Sequence, residues 1–300
     1  MRFTLRQMQV FVEIARSENV SRAAEALALS QSAASAALAE LESQFDQQLF
    51  DRAGKRLRLN EQGSLLLAHA VELLDRAEEI DAVLRGDRGL GNLRVGATLT
   101  IGNYLLPLIV SNFLQVHPES RVRLQVHNTA TIAAMLLRHE IDLGLVEGQV
   151  VDAALEVEPW VEDELVVFCA PGHALAKGGQ VGLDAIAHQP WILRERGSGT
   201  RETFDQALRH WPGGIVPRLE LEHTEAVKRA VESGLGLGCL SRLALRDAFR
   251  RGSLVPVDTP QLDLRRYFYF VWHRGKYHSR VIRRFLEDCR AFTGGARRSD

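Results

Sequence analysis

Residues 21–50 read SRAAEALALSQSAASAALAELESQFDQQLF. A helix that begins at Ser21 would place its alanines on one face, a short turn follows at 28–30, and a further helix is predicted over 31–44. Two short helices joined by a tight turn need small residues where they cross, and this alanine-rich stretch supplies them. The pattern predicts a helix-turn-helix.

The residues before this stretch predict one more helix, over 4–16. Thr4 is followed three residues later by Gln7, which is a capping-box pattern. Apolar side chains then recur at helical spacing and would face a common core. They are Leu5, Met8, Phe11, Val12 and Ala15.

The residues that follow predict a small β-hairpin. Residues 49–59 read LFDRAGKRLRL, in which apolar and basic residues alternate around a glycine turn. By itself the stretch could equally be a solvated basic turn. Placed directly after a helix-turn-helix, it is more typical of the wing of a winged helix-turn-helix.

A long helix is predicted over 60–85, before glycine and charge break it at 86–91. Its apolar residues are spaced by alternating fours and threes, which forms an a/d heptad seam. The alternative is an amphipathic helix packed on its own domain. The narrow seam favours a partner helix, so we expect a dimer. The seam residues are Leu66, Ala70, Leu73, Ala77, Ile80 and Leu84.

From Asn92 onward, strand and helix patterns alternate, which predicts an α/β domain with a mostly parallel sheet. About 200 residues are enough for two lobes. An apolar run at 267–272 and a helix at 279–292 could return the chain to the first lobe. Strands are predicted at 93–97, 122–126, 143–146, 165–170, 191–193, 219–221, 237–240 and 254–257. Helices are predicted between them at 103–116, 130–139, 202–210 and 225–233.

Composition excludes several classes of protein. The 300 residues carry a net charge of −1, so a basic surface for nucleic acid can only be local. The three cysteines are far apart and form no Cys-x-x-Cys pair, so neither a zinc site nor a redox pair is indicated. The N-terminus lacks the apolar core of a signal peptide, and no apolar run is long enough to span a membrane. We therefore expect a cytoplasmic protein with no membrane partner.

Residues 11–50 resemble the signature of LysR-type transcriptional regulators, and the resemblance continues through the wing, the long helix and the α/β half. It implies an all-α winged helix-turn-helix over 1–60, a linker helix over 61–89 and a periplasmic-binding-protein-like α/β effector domain with two lobes over 90–300. Lobe I would comprise about 90–163 and 267–300, and lobe II about 164–266. A ligand cleft would lie between the lobes.

The resemblance also implies partners. They are double-stranded promoter DNA, a second copy of the chain in a homodimer or dimer of dimers, a small effector and RNA polymerase. Residues 191–201, WILRERGSGTR, look like a narrower branch that is similar to regulators sensing small anionic metabolites. Sulfite, sulfate or a small carboxylate would fit such a site, and no other cofactor is expected.

The predicted recognition helix departs from the family pattern. Many members carry Pro where this chain has Ser32 and a basic residue where it has Ala36, and residues 31–44 contain no Lys or Arg. Base readout must then come from uncharged side chains near the start of the helix, while the basic wing contacts phosphates. The predicted DNA contacts are Ser30, which would also cap the helix, Gln31, Ser32, Ser35, Arg52, Lys55 and Arg56.

Polar residues in the α/β half gather where strands end and helices begin. In open α/β sheets ligands bind beyond the carboxyl ends of strands, and helix N-termini favour anions. For any single Ser or Thr, helix capping is the alternative. Glu147 would orient Arg194 or Arg201, or accept a proton from the ligand. The predicted effector contacts are Thr98, Thr100, Asn128, Thr129, Thr131, Glu147, Arg194, Ser198, Gly199, Thr200 and Arg201.

The alternative function is an enzyme or a small-molecule-binding protein on the same α/β scaffold. Ser198 lies between two glycines but lacks the Gly-x-Ser-x-Gly elbow of a nucleophile. The glycine-rich residues 234–238 follow a helix and enter a strand, whereas a dinucleotide loop has the opposite order. The histidines show no metal-ligand spacing. We therefore expect no catalytic and no metal-binding residues.

Overall fold

The computed structural model describes residues 2–53, 56–86, 89–211 and 214–294. Its N-terminal part is the predicted winged helix-turn-helix, followed by one long helix. The first three helices lie within two residues of the predicted bounds. The elements are α1 (Leu5–Ser17), α2 (Val20–Ala26), α3 (Gln31–Phe45), β1 (Phe50–Ala53), β2 (Arg56–Leu59) and α4 (Glu61–Leu84).

Side-chain caps set the starts of these helices. Thr4 and Gln7 form the predicted capping box of α1. Ser30 accepts a hydrogen bond from the backbone N–H of Ala33, so its predicted capping of α3 is confirmed. Asn60 caps α4 and also donates to the carbonyl of Gln48, which joins the start of the long helix to the connection between α3 and β1. Each cap satisfies an N–H group that the helix leaves free.

The sequence left two interpretations of the helix α4 open: packing on its own domain, or a seam for a partner helix. The two halves of the helix differ in this respect. In its first half, Leu67, Ala70 and Val71 are buried in the core of the DNA-binding head. In its second half, Ile80 is 61% exposed and Leu84 is 80% exposed. The first half therefore packs on its own domain, while the second half leaves an apolar strip uncovered.

The remaining elements form the α/β domain. The helical elements are a π-helical turn (Ile101–Leu105), α5 (Leu106–Val116), α6 (Thr129–Leu137), a 3₁₀ turn (Ala174–Lys177), α7 (Leu183–Ala187), α8 (Gly199–Ala207), α9 (Thr224–Glu232), α10 (Arg242–Arg251) and α11 (Arg280–Phe292). The strands are β3 (Asn92–Ala97), β4 (Arg121–Val126), β5 (Leu143–Glu147), β6 (Leu155–Cys169), β7 (Trp191–Arg194), β8 (Leu219–Leu221), β9 (Leu237–Ser241), β10 (Val255–Pro256) and β11 (Arg265–His273).

These nine strands form one mixed sheet, in the order β4-β3-β5-β11-β6-β9-β7-β8, with β10 paired to β6. The outer strands of each lobe are parallel, but β11 is antiparallel to both β5 and β6, and β6 is antiparallel to β9. The prediction of a mostly parallel sheet was therefore wrong for its centre. The pattern of alternating strands and helices predicts parallel pairing within each lobe but says nothing about the strands that return between them.

Strands β6 and β11 join the two lobes. They pair from Leu155 to Glu164, with a register shift where Trp160 is passed over. The predicted lobe boundary at 163 and 164 falls inside β6, and the boundary at 266 and 267 falls inside β11. Both lobes therefore share these two strands. The lobe boundaries given by the sequence remain predictions.

Each lobe has its own core around this shared centre. In lobe I, Phe113 on α5 packs edge-on against Phe285 on α11, which confirms that the last helix returns to the first lobe. In lobe II, the ring of Trp191 packs against the ring of Phe204 at a tilt of 54°, and its indole N–H donates to a backbone carbonyl. Over the part of the chain that the structure describes, no helix combines the length and hydropathy needed to cross a bilayer.

Candidate DNA interface and effector cleft

The helix α3 presents its polar N-terminal residues to solvent. Gln31, Ser32 and Ser35 are exposed, while Ala34 and Leu38 on the opposite face are buried. A recognition helix contacts base edges with residues of this kind near its N-terminus. The structure therefore leaves the three predicted base-reading side chains free to do so.

The hairpin of β1 and β2 carries exposed arginines. Arg52 and Arg56 are exposed, and Arg56 lies 3.9 Å from the carboxylate of Glu18, a weak and solvated ion pair. Arg58, which shares the basic stretch, is exposed as well. Lys55 lies outside the described residues.

The centre of the effector half is Glu147, at the end of β5. Its carboxylate forms an ion pair with Arg266 at 2.9 Å and accepts hydrogen bonds from the backbone N–H of Thr100 at 2.7 Å and the hydroxyl of Thr200 at 2.9 Å. All four residues are buried. The structure thus joins Thr100 and Thr200, from distant segments, around one carboxylate of the protein, whereas the sequence predicted them as contacts of a bound anion.

The cation that orients Glu147 is Arg266, not Arg194 or Arg201 as predicted. Arg266 also donates from Nε to Asp163 at 2.8 Å, and Asp163 accepts from Ser241 at 2.7 Å. Burial alone would raise the pKa of Glu147, but the charge of Arg266 and the hydrogen bonds from Thr100 hold it below its usual value. The buried Glu147 is therefore ionised at neutral pH and is not poised to accept a proton from a ligand.

The two predicted arginines have other carboxylate partners. Arg194 pairs with Glu195 through two hydrogen bonds of 2.8 and 2.9 Å. Arg201 pairs with Asp205 and Glu220, each at 2.9 Å. Their charges are neutralised within lobe II, so the geometry does not support either as the cation of an anion site.

The loop before α8 touches lobe I directly. The carbonyl of Gly197 accepts from the N–H of Ala130 at 3.2 Å, and Thr129 donates its hydroxyl to the carbonyl of Glu147 at 3.0 Å. A Cβ on Gly199 would overlap that same carbonyl oxygen. Only glycine allows the lobes to approach this closely.

The residues around Asn128 hold the same junction. The Asn128 side chain caps α6 by accepting from the N–H of Thr131 at 3.0 Å, and it donates to Glu195 of lobe II at 3.2 Å. Asn128 therefore bridges the two lobes. The hydrogen bond from the N–H of Thr131 is a helix cap, which the sequence analysis gave as the alternative to contact with an effector.

Two buried hydroxyls at the junction are without a partner. Within the described residues, the Oγ1 atoms of Thr98 and Thr224 are inaccessible to solvent and form no hydrogen bond. Thr98 follows β3, and Thr224 opens α9. Neither Ser198 at the start of α8 nor His223 at the start of α9 caps its helix with a side-chain hydrogen bond. Buried polar atoms are normally satisfied, so these two hydroxyls need an explanation.

A second contact crosses the lobes on α9. Tyr104 of the π-helical turn donates its hydroxyl to Glu225 at 2.6 Å, and the ammonium of Lys228 lies 2.8 Å from the same carboxylate. Burial alone would raise the pKa of Glu225, but the hydrogen bonds from Lys228 and Tyr104 lower it. The Lys228 side chain is only 8% exposed, whereas its partner Glu225 is 62% exposed.

Sequence reasoning missed Arg266, Asp163, Tyr104 and Lys228. Arg266 precedes an apolar run that predicts a buried strand, and a charged residue beside such a run was the available signal. Asp163 stands in an acidic run, and Tyr104 and Lys228 stand within helical patterns, so these three gave no signal. Among the described residues, no group of histidine, cysteine or acidic side chains could hold a metal ion.

Comparison with known proteins gives the class of this chain. Residues 5–64 match the family model described as bacterial regulatory helix-turn-helix protein, lysR family, and residues 86–293 match the LysR substrate binding domain. The HTH-type transcriptional regulator YeiE of Escherichia coli (strain K12) is 44% identical over 289 residues, which cover 96% of this chain and 98% of that protein.

Solved structures agree with this result. The regulatory domain of CcmR from Synechocystis PCC6803 in complex with 2-PG is 30% identical, with a TM-score of 0.64 over 68% of this chain and 97% of that one. Full-length OxyR from Pseudomonas aeruginosa is 21% identical, with a TM-score of 0.75 over 97% of this chain and 95% of that one, and shows that the whole fold is shared.

The chain belongs to the LysR family of bacterial transcriptional regulators. It is a DNA-binding regulator with an effector-binding domain, and its relatives are transcriptional regulators.

A substitution at Gly199 tests the contact between the lobes. Gly199→Ala would force the Glu147 carbonyl away, so we expect the free energy of unfolding to fall by about 1–3 kcal/mol, as for other overpacked sites. Thermal denaturation measures this loss. Gly182→Ala is the matched control, because its Cβ would meet no atom within 4 Å. Equal melting temperatures for the two variants would contradict the close approach of the lobes.

Proposed function

We propose that this regulator reads its operator with Gln31, Ser32 and Ser35, holds the phosphate backbone with the wing, and is controlled by a small oxyanion bound between the lobes. The observation that carries the proposal is the pair of buried, unpartnered threonine hydroxyls at the junction of the lobes. Each lies beside the start of a helical element, where free N–H groups and the helix dipole favour negative charge.

The charges of the junction support a site in which neutral donors do most of the binding. Arg266, Arg194 and Arg201 each have carboxylate partners in the structure. A ligand would have to displace one of these buried pairs to use their charge, which is costly. Hydroxyl and backbone N–H donors, in contrast, bind an oxyanion without that cost.

Lys228 is the cation that such a ligand could most readily use. It is nearly buried, yet its partner Glu225 is mostly exposed and can return to water when the lysine changes partner. Glu225 also accepts from Tyr104 of the opposite lobe. A bound anion that takes Lys228 would therefore change a contact between the lobes.

We infer the size and charge of the ligand from the same hydroxyl and backbone N–H donors. Sulfate, sulfite and a small carboxylate each offer several acceptor atoms within a small volume, which suits a site made of short hydroxyl side chains. CcmR, whose regulatory domain was solved in complex with 2-PG, indicates that domains of this kind bind small ligands. The mode of action is regulation rather than catalysis, with RNA polymerase as a further partner at the promoter.

A second copy of this chain is proposed to cover the apolar strip of α4. The strip continues into a groove of about 480 Å³ between the head and α4, lined by apolar side chains such as Phe45, Leu65 and Leu73. Contiguous exposed apolar surface of this kind marks an interaction site. A heptad seam on a long helix fits a second, identical helix, which gives a homodimer as the unit of assembly.

The wing is tested by the salt dependence of DNA binding. The triple variant Arg52→Ala/Lys55→Ala/Arg56→Ala should weaken binding to all DNA sequences about equally. Its slope of log affinity against log salt should be shallower by roughly one unit for each phosphate that is no longer neutralised, because fewer counterions are released. Gln31→Ala should instead reduce discrimination between sequences and keep the slope. An unchanged slope in the triple variant would remove the wing from the phosphate interface.

The dimer is tested at the exposed end of α4. Ile80→Asp/Leu84→Asp places two charges where a partner helix would pack, so we expect light scattering to give the monomer mass and DNA affinity to fall at least about 100-fold. Val151→Asp is the control, because Val151 is 92% exposed in the effector half. A double variant that keeps the mass of the wild type would refute the seam.

The effector site is tested with the unpartnered hydroxyls. Thr98→Val and Thr224→Val keep the side-chain shape and remove an oxygen that has no partner. The melting temperature without ligand should stay the same or rise, while anion affinity should fall about tenfold, the usual value of one hydrogen bond to a charged group.

The measurement is calorimetry on the full chain with sulfate, sulfite and acetate at constant ionic strength. Thr293→Val, at the end of α11, is the control. If none of the three anions binds the wild type, or if both variants bind as tightly as wild type, the cleft is not the anion site.

A further inference from the structure

The end of lobe I that lies away from the cleft holds a buried lysine. The ammonium of Lys276 contacts the carboxylate of Asp75 on the linker helix α4 and that of Asp142, at 2.8 Å, in the effector domain. Asp142 is held in turn by Arg94 through two side-chain hydrogen bonds of 2.6 and 3.1 Å. The Lys276 side chain is 3% exposed. One buried cation thus joins two domains.

The neighbouring contacts extend the same interface. Glu79 of α4 accepts from the hydroxyl of Tyr277 at 3.2 Å and from the backbone N–H of Arg280 at 2.9 Å. The guanidinium of Arg76 lies 4.4 Å from the centre of the Tyr277 ring, a cation–π distance. The linker helix is therefore held over about one turn, through Asp75, Arg76 and Glu79.

The DNA-binding head takes part through α1. Arg16 donates from Nε to the carbonyl of His139 at 2.9 Å. Burial lowers the pKa of Arg16 to about 10, which still leaves it charged at neutral pH. The head and the linker helix thus contact the same end of lobe I.

Two adjacent strands connect this end with the cleft. Asp142 directly precedes β5 and Glu147 ends it, while Arg266 lies near the start of the antiparallel strand β11 and Lys276 follows its end. An ion pair therefore closes each end of the β5–β11 ladder: Glu147 with Arg266 in the cleft and Asp142 with Lys276 at the linker. Asp142 and Glu147 are five positions apart along the strand, which corresponds to about 17 Å.

We propose that Lys276 clamps the linker helix onto lobe I, and that the β5–β11 ladder makes this clamp sensitive to the state of the cleft. The clamp fixes the direction in which the DNA-binding head projects. Its regulatory consequence rests on the proposed effector site, whereas the clamp itself needs no ligand.

The physical reason is that both ion pairs share the same two strands. A change in the partners of Glu147 or Arg266 shifts β5 relative to β11, and a packed ladder transmits such a shift because its strands are buried and hydrogen-bonded along their length. At the other end the shift changes the distance between Asp142 and Lys276. A ligand alters the clamp only by its difference in affinity for the two arrangements.

A disulfide trap measures the clamp in the full chain. The Cβ of Ala68 on α4 lies 3.4 Å from the position that a Cβ on Gly275 would occupy, close to the separation in a disulfide. The three native cysteines are buried. Ala68→Cys/Gly275→Cys should therefore form an intramolecular disulfide quickly under mild oxidation, seen as a mobility shift on a non-reducing gel at the monomer position.

The clamp residues on the linker helix should determine how fast this disulfide forms. Adding Asp75→Asn/Glu79→Gln should slow trapping at least about tenfold, because Lys276 loses its linker partner and Glu79 its hydrogen bonds. Adding Asp81→Asn, which removes only the ion pair with Arg85 within α4, should leave the rate unchanged. Trapping that is equally fast with Asp75→Asn/Glu79→Gln, or a cross-link between two chains, would overturn the clamp. Wild-type DNA affinity of the reduced double-cysteine chain shows that it folds.

A substitution in the cleft tests, without any ligand, whether the β5–β11 ladder couples the cleft to the clamp. Thr200→Val removes the hydroxyl that joins Glu147 and Arg266, more than about 15 Å from the trap on the spacing of a strand. We expect the trapping rate to change at least about threefold, while Thr293→Val leaves it unchanged. Equal rates for Thr200→Val and the parent chain would refute the link to the cleft. Because no anion is present, this result is independent of whether the proposed effector site is right.

Discussion

The ion pair between Glu147 and Arg266 is the interaction on which the effector half depends. Two charges out of water are stable only when each is neutralised and hydrogen-bonded, and breaking such a pair costs more than never having formed it. Here the pair is completed by Thr100, Thr200 and Asp163, which come from both lobes and from the strand between them. The contacts of this pair thereby hold lobe I and lobe II in one arrangement.

Local sequence predicted the head well because its signals are local. The capping box at Thr4 and the alanines of α2 act within a few residues of themselves, and the three helices lie within two residues of their predicted bounds. The outer strands of both lobes were predicted for the same reason, since short apolar runs bounded by turns were enough to find them.

The centre of the sheet could not be predicted in the same way. The first half of β6 contains Glu156, Glu158 and Pro159, and this composition conceals a strand whose stability comes from pairing with β11. Arg266 pairs with residues about one hundred positions away, and only the register of the ladder brings them together. Residues at the junction of the lobes were therefore predicted where strand ends gave hydroxyls and glycines, and missed where their charged partners came from β11 and α9.

The two-strand bridge also sets how the lobes can move. Side chains alternate between the faces of a strand, so a slip of β6 against β11 by one residue would turn Arg266 away from Asp163 and every core residue away from its core. A slip by a whole residue is thus forbidden. What remains is twisting of this two-stranded ribbon about its own length, together with shifts much smaller than one residue. Such a ribbon converts a small local strain into a rotation, and it returns to its starting angle once the strain is gone.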